Sequence, residues 1–211
     1  MAKKKLRKFA EVKTFSNVFE FPEKMAGKWN DYFKNKNPFI LELGCGKGDY
    51  TLALARLFPK KNLIGVDRKA DRIWRGAKTA LEEKITNATF LRIYIEKITD
   101  YFSNGEVDEI WITFPDPFPK RRSVKKRLTS PSFLNMYRQI LKPDGLIHLK
   151  TDDLRFFQYT IQVLKSEKYK IRKQITDIYS SEVDELLQIK TTYEKRHMEE
   201  GRKIHYLCFS F

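Results

Sequence analysis

The sequence predicts an α/β domain, a mostly parallel sheet with helices on both faces. Three observations lead there. Short apolar runs alternate with segments of helical periodicity through most of the 211 residues, and strands that alternate with helices pack as a parallel sheet covered on both sides. The first clear run ends in a glycine-rich turn that opens a helix, a place where a ligand can approach the backbone closely. Hydrophobic residues make up 41% and aromatics 14% of the chain, enough for one sizeable core and more than a disordered chain carries.

Taken in order, Asn37-Pro38 breaks the chain before Phe39-Ile40-Leu41-Glu42-Leu43, a continuous apolar run of the kind a buried parallel strand shows. Gly44-Cys45-Gly46-Lys47-Gly48 follows, then a helix over 49–58 that Pro59 stops. Residues 62–67 form a second strand. Residues 71–83 form a helix with Ile73, Ala77, Ala80 and Leu81 on one face. Strands follow at 88–93 and 107–114. Ser130 caps a helix with Pro131 at its first position. That helix runs to Lys142, where Pro143-Asp144-Gly145 turns the chain into a strand at 146–150. Leu154, Phe157, Ile161 and Leu164 lie at helical spacing, and 169–176 and 203–211 supply two last strands, seven in all. Residues 21–211 read as a single domain and 1–20 as a basic N-terminal arm. Six basic residues against one acid in the first 13 fit either a solvated, disordered arm or one that orders on RNA phosphates.

The net charge is +15. Such an excess seeks an anion, either nucleic acid or an acidic membrane surface. No apolar run approaches the roughly 18 residues of a membrane span, and no apolar segment follows the N-terminal charges as a secretory signal would require. Nucleic acid is therefore the expected partner, with no membrane. Cys45 and Cys208 sit in no paired motif, and His148, His197 and His205 are scattered, so no metal site is expected. Two unpaired cysteines suit a reducing, cytoplasmic setting.

Chemistry concentrates at strand ends, where ligands bind in such sheets. Glycines run GxGxG after the first strand, Glu42 stands two before Gly44, and Asp67 ends the second strand 19 residues after Gly48. A carboxylate there can accept hydrogen bonds from both hydroxyls of a ribose. Dinucleotides prefer GxGxxG. The form seen here resembles the first motif of S-adenosylmethionine methyltransferases, and a carboxylate can attract that cofactor's sulfonium and ammonium. Beyond the fourth strand comes Phe114-Pro115-Asp116-Pro117-Phe118-Pro119, in which three prolines stiffen the backbone around one carboxylate. Lys120 to Arg127 then holds six basic residues and no acid, which reads as a phosphate clamp or as a solvated face.

The Phe-Pro-Asp-Pro-Phe-Pro-Lys loop with its basic tail, Lys150-Thr151-Asp152 and Thr191-Thr192-Tyr193-Glu194 together resemble the bacterial tRNA (guanine-N7)-methyltransferase family over roughly residues 35 to 211. The resemblance implies a Rossmann-like class I methyltransferase fold with a seven-stranded, mostly parallel sheet. It implies methyl transfer from S-adenosyl-L-methionine, leaving S-adenosyl-L-homocysteine, to N7 of guanine 46 in the tRNA variable loop, with no metal. It places Glu42, Gly44, Gly46, Asp67 and Asp116 around the cofactor, Asp116 being also the catalytic residue. Lys120, Asp152, Thr191, Thr192, Tyr193 and Glu194 would contact substrate, and Arg122, Ser123, Val124, Lys125, Lys126 and Arg127 the RNA. Where the family has an Asp after the third strand, this chain has Tyr94; a backbone contact, Tyr94 itself or Glu96 takes that role. Without the resemblance, Thr191 and Glu194 read as a helix-capping pair. Two rival functions remain at this stage: methylation of an exocyclic amine on adenine or cytosine, since Asp116-Pro117-Phe118 approaches an Asp-Pro-Pro-aromatic motif, and a non-catalytic RNA-binding subunit. No obligate protein partner is implied, and a monomer and a homodimer fit equally.

Overall fold

A computed structural model describes residues 2–211; Met1 of the expected arm lies outside the described residues. The elements run α1 (Ala2–Val12), β1 (Val18–Glu20), α2 (Trp29–Phe33), β2 (Phe39–Leu43), α3 (Asp49–Leu57), β3 (Asn62–Asp67), α4 (Ala70–Glu82), β4 (Ala88–Arg92), β5 (Val107–Thr113), α5 (Pro131–Ile140), β6 (Leu141–Thr151), α6 (Leu154–Ser166), β7 (Lys170–Ile175), α7 (Glu185–Gln188), α8 (Thr192–Glu199) and β8 (His205–Ser210). They build one sheet of eight strands in the order β1-β4-β3-β2-β5-β6-β8-β7. All pairings are parallel except those of β8 with β6 and β7. The strand order reverses at β2, so the crevice beyond the ends of β2 and β5 is where a ligand binds in such a sheet.

The sheet has one strand more than the seven expected. The addition is β1, three residues inside the stretch read as an arm, which pairs with β4 from Val18↔Phe90 to Glu20↔Arg92. Three residues are too few for a periodicity to register. The arm itself is helical: α1 packs on α4, where Glu11 accepts a hydrogen bond from the Trp74 indole at 2.6 Å and Val12 is buried. An apolar edge on this short basic segment has a partner helix to cover it, so the segment need not wait for RNA to fold.

Two apolar layers sandwich the sheet. One gathers Leu41, Leu43, Ile110, Ile112, Leu149 and Phe156; the other gathers Ile40, Tyr50, Phe90, Trp111 and Tyr206. The predicted helix 71–83 buries Ile73, Ala77 and Ala80, but Leu81 is 40% exposed, the stripe being narrower than its composition suggests. The helix before β6 stops at Ile140 rather than Lys142. Pro143-Asp144-Gly145 is an irregularity within β6: Val107 pairs with Leu141 and Glu109 already with Leu146.

Candidate active site

The glycine turn is held shut from below. Gly44 and Cys45 both donate backbone N–H groups to the Val66 carbonyl, at 2.8 and 3.0 Å. Gly46 donates to Asp67 at 3.0 Å, and the other Asp67 oxygen accepts from Lys69 N at 2.8 Å. Asp67 thereby ties the end of β3 to the turn. Gly48 has φ +77°, and a Cβ there would lie 2.6 Å from the Phe90 ring. Across the same ring a Cβ on Gly76 would meet the Lys47 carbonyl at 2.6 Å. Both glycines let α4 and the turn close on Phe90.

Glu42 reaches the cavity floor from the middle of β2. It is 3% exposed. Its carboxylate accepts from Thr51 N at 2.8 Å, from the Thr51 hydroxyl and from the Thr113 hydroxyl at 2.6 Å. Burial outweighs those bonds and pushes its carboxyl up to about 7.

Above it a cavity of about 520 Å³ opens. Its walls are Glu42, Gly44 and Gly46 of the turn, Thr113 to Pro117 of the proline loop, Asp152 and Asp153 beyond β6, and Thr191 to Tyr193 at the start of α8. The structure thus brings Asp116, the glycine turn and most predicted substrate residues to one hollow. Asp116 is exposed within it. Asp152 is paired with Arg202 at 2.7 Å. Tyr193 is 50% exposed and packs between Phe114 and His197, with ring centres 5.4 and 4.1 Å away.

Five expected residues sit elsewhere, Asp67 among them: it is buried and absent from the cavity wall, its oxygens taken by Gly46 and Lys69. Glu194 is fully buried behind the wall, paired with the equally buried Lys150 at 2.8 Å and accepting from the Tyr179 hydroxyl at 2.7 Å. Its backbone N–H donates to the Thr191 hydroxyl at 3.0 Å, so Thr191 caps α8 as the capping pattern foretold. Ser130, expected to cap α5 in the same way, occupies the cap position without a side-chain cap bond; its hydroxyl donates to the Lys125 carbonyl instead. Lys120 lies on the exposed surface beside the cavity rather than in its wall. Tyr94 is 48% exposed, lies against Phe21 and carries the Arg68 guanidinium 5.8 Å over its ring, a flat platform past the end of β4. Within the basic run, Arg121, Arg122, Lys125 and Lys126 are exposed on a short 3₁₀ segment with Ser123 and Val124 half-buried. Arg127 is instead buried, 8% exposed.

Sequence reasoning missed Thr51 and Thr113, whose hydroxyls hold Glu42, and Arg202, which holds Asp152. Thr113 and Arg202 have no local signature, because each meets its partner from another strand or a distant loop, whereas Thr51 lies in α3 directly after the glycine turn. Lys150 did carry a signal, a lysine at the end of the expected central strand 146–150. Among the described residues no cluster of side chains suits a metal ion, and no helix is long and apolar enough to cross a membrane. The cysteines are free and buried.

A family model described as "Putative methyltransferase" matches residues 36–207. The tRNA (guanine-N(7)-)-methyltransferase of Christiangramia forsetii is 46% identical, across 99% of this chain and 98% of that protein. The protein of the same name from Bacteroides thetaiotaomicron is 45% identical, across 99% and 86%, and that of Brevibacillus brevis 34%, across 93% and 91%. Among solved structures, the 16S rRNA methyltransferase KamB aligns with a TM-score of 0.67 at 14% identity, covering 90% of this chain and 95% of that one. At that identity the likeness is one of fold.

Proposed function

Because the chain belongs to the bacterial tRNA (guanine-N7)-methyltransferase family, we propose that its cavity is where a tRNA guanine, nucleotide 46 of the variable loop, meets the methyl donor. The enzyme uses S-adenosyl-L-methionine to methylate guanine N7 in tRNA. The observation that carries the site assignment is the shared cavity: glycine turn, proline-braced Asp116 and the Asp152 and Tyr193 walls face one hollow.

The residues suit a cationic nucleoside. Asp67 ends β3, where a carboxylate in such a fold can accept from a ribose, Gly44 and Gly46 leave the backbone open to close approach, and Glu42 offers a carboxylate that ionises readily once a cation is near. Tyr94 with Arg68 offers an adenine a stacking face in place of the family's carboxylate. The cofactor, when bound, supplies a methyl group on a sulfonium. Guanine N7 carries a lone pair and no proton, so it forms the new N–C bond as the C–S electrons return to sulfur, and no base need remove a proton. The chain's work is alignment and stabilisation of the positive charge that appears on the base. Asp116 and Asp152 accept from the N1–H and N2–H edge, which adenine lacks. Tyr193 presents a ring face to the base. Arg121, Arg122, Lys125 and Lys126, with Lys120 between them and the cavity, receive phosphates. The catalytic domain takes in α1 and β1 together with residues 21–211, since β1 pairs with β4 and α1 packs on α4, and the site of action is the cytoplasm.

Incubation with unmodified tRNA and S-adenosylmethionine, nucleoside digestion and mass analysis should yield 7-methylguanosine. A methylated adenine or cytosine would instead support the exocyclic-amine reading, and no product despite cofactor binding would support a binding subunit. Asp116→Ala should abolish turnover while leaving cofactor affinity within about tenfold, roughly the value of one hydrogen bond to a charged group; near-normal turnover would remove Asp116 from the reaction.

A further inference from the structure

The buried end of the basic run has a different task from the rest of it. Arg127 donates from Nε to the Pro117 carbonyl at 2.8 Å and from Nη2 to the Phe118 carbonyl at 3.2 Å. Its guanidinium lies 4.2 Å over the Tyr159 ring. The support behind it is rigid: Thr129 is fully buried and its hydroxyl meets that of Thr160 on α6 at 2.8 Å. The loop it grips is strained. Phe114 and Phe118, on either side of Asp116, adopt φ of +49° and +41°, a left-handed region that a residue with a bulky side chain occupies only when its surroundings impose it. Proline rings at 115, 117 and 119 remove three backbone donors, so the loop has few internal bonds with which to hold itself.

We propose that Arg127 is a positioning residue: its planar fork pins the carbonyls of Pro117 and Phe118 and so fixes the Asp116 carboxylate at the cavity, rather than binding RNA phosphate. Arg127 is an arginine because two divergent carbonyls and an aromatic face ask for a flat, forked donor, which a lysine ammonium cannot supply. The proposal rests on Asp116 acting on the guanine.

The test compares Arg127→Lys, which keeps the charge and loses the fork, with Arg127→Gln and the exposed control Arg122→Gln. Arg127→Lys should lower kcat on the order of 100-fold, the cost of misplacing a reacting group by about 1 Å. KM for tRNA and affinity for S-adenosylmethionine should stay near wild type. Arg127→Gln should leave the salt dependence of tRNA binding unchanged, whereas Arg122→Gln should lower its log–log slope by about 1. A slope reduced in Arg127→Gln, or a wild-type kcat in Arg127→Lys, would overturn the proposal. So would joint loss of cofactor binding and rate in Arg127→Lys, which would mark general packing. If Asp116→Ala is inactive and Arg127→Lys is normal, only the positioning role fails; if Asp116→Ala is active, the reading of Asp116 fails first.

Discussion

Glu194 gives the sharpest contest between resemblance and structure. The family pattern assigns it to the guanine, yet it is fully buried and meets the equally buried Lys150 ammonium at 2.8 Å. Lys150 has two other partners, the carbonyls of Leu187 at 3.2 Å and Ile189 at 3.1 Å. Burial drives its amine below the usual lysine range, and the Glu194 charge opposes that. The same segment is tied to α3 by Tyr50, whose hydroxyl donates to Leu186 O, and by Asp49, which accepts from Thr192 N. Glu194→Ala therefore strands a cation in the core. Removing one partner of a buried pair costs about 3–5 kcal/mol, which for a chain of this size lowers Tm by roughly 6–20 °C at about 2–4 °C per kcal/mol. Replacing both partners, as Lys150→Met with Glu194→Leu, should recover most of that loss, since apolar substitutes of similar volume are often neutral. Thermal unfolding followed by circular dichroism reads both. A structural role for Glu194 is refuted if Glu194→Ala melts within about 2 °C of wild type while kcat/KM for tRNA collapses, for then the carboxylate works on the guanine.

Glu42 should make cofactor binding pH-dependent. Its carboxyl is raised from 4.5 to about 7 by burial, so the folded chain retains a proton that the unfolded chain releases between those values. Its contribution to stability is present below 4.5 and lost as pH rises to 7. A cation in the cavity favours the ionised form, so affinity for S-adenosylmethionine should rise with pH up to about 7 and then level, by at most about tenfold per unit. Calorimetry on Glu42→Gln should find the dependence flattened, and identical profiles for the two proteins would dismiss it. Neutralising Arg121, Arg122, Lys125 and Lys126 together should weaken tRNA binding and reduce its salt slope by about 0.7–0.9 for each phosphate left without its cation. Unchanged affinity at low salt would leave that turn without a role in binding.

The sequence exposed those parts of the site whose chemistry is local. A strand, a glycine turn and a helix are contiguous in the chain, so Glu42, Gly44, Gly46 and Asp67 stand out by spacing, and the proline-braced Asp116 by its own neighbours. The shared cavity came through because strand ends of a parallel sheet share an edge, and that rule needs only element order. It failed where two readings of one segment differed only in which way a side chain points. Arg127 looked like its basic neighbours and Glu194 like a base-binding carboxylate, and both are buried.

Alternation of strands and helices determined by itself the α/β class, and the excess of positive charge pointed to nucleic acid; methyl transfer to a tRNA guanine was implied by the resemblance of the strand-end motifs to a known family. The first two follow from periodicity and composition, which a linear chain carries in full. Only the tertiary structure decided that β1 extends the sheet, that α1 docks on α4, and which charges face water. A side chain's solvation is a property of everything packed around it. Five cations of one run therefore face water while the sixth, Arg127, turns to backbone carbonyls under Tyr159, more than 30 residues away in the chain.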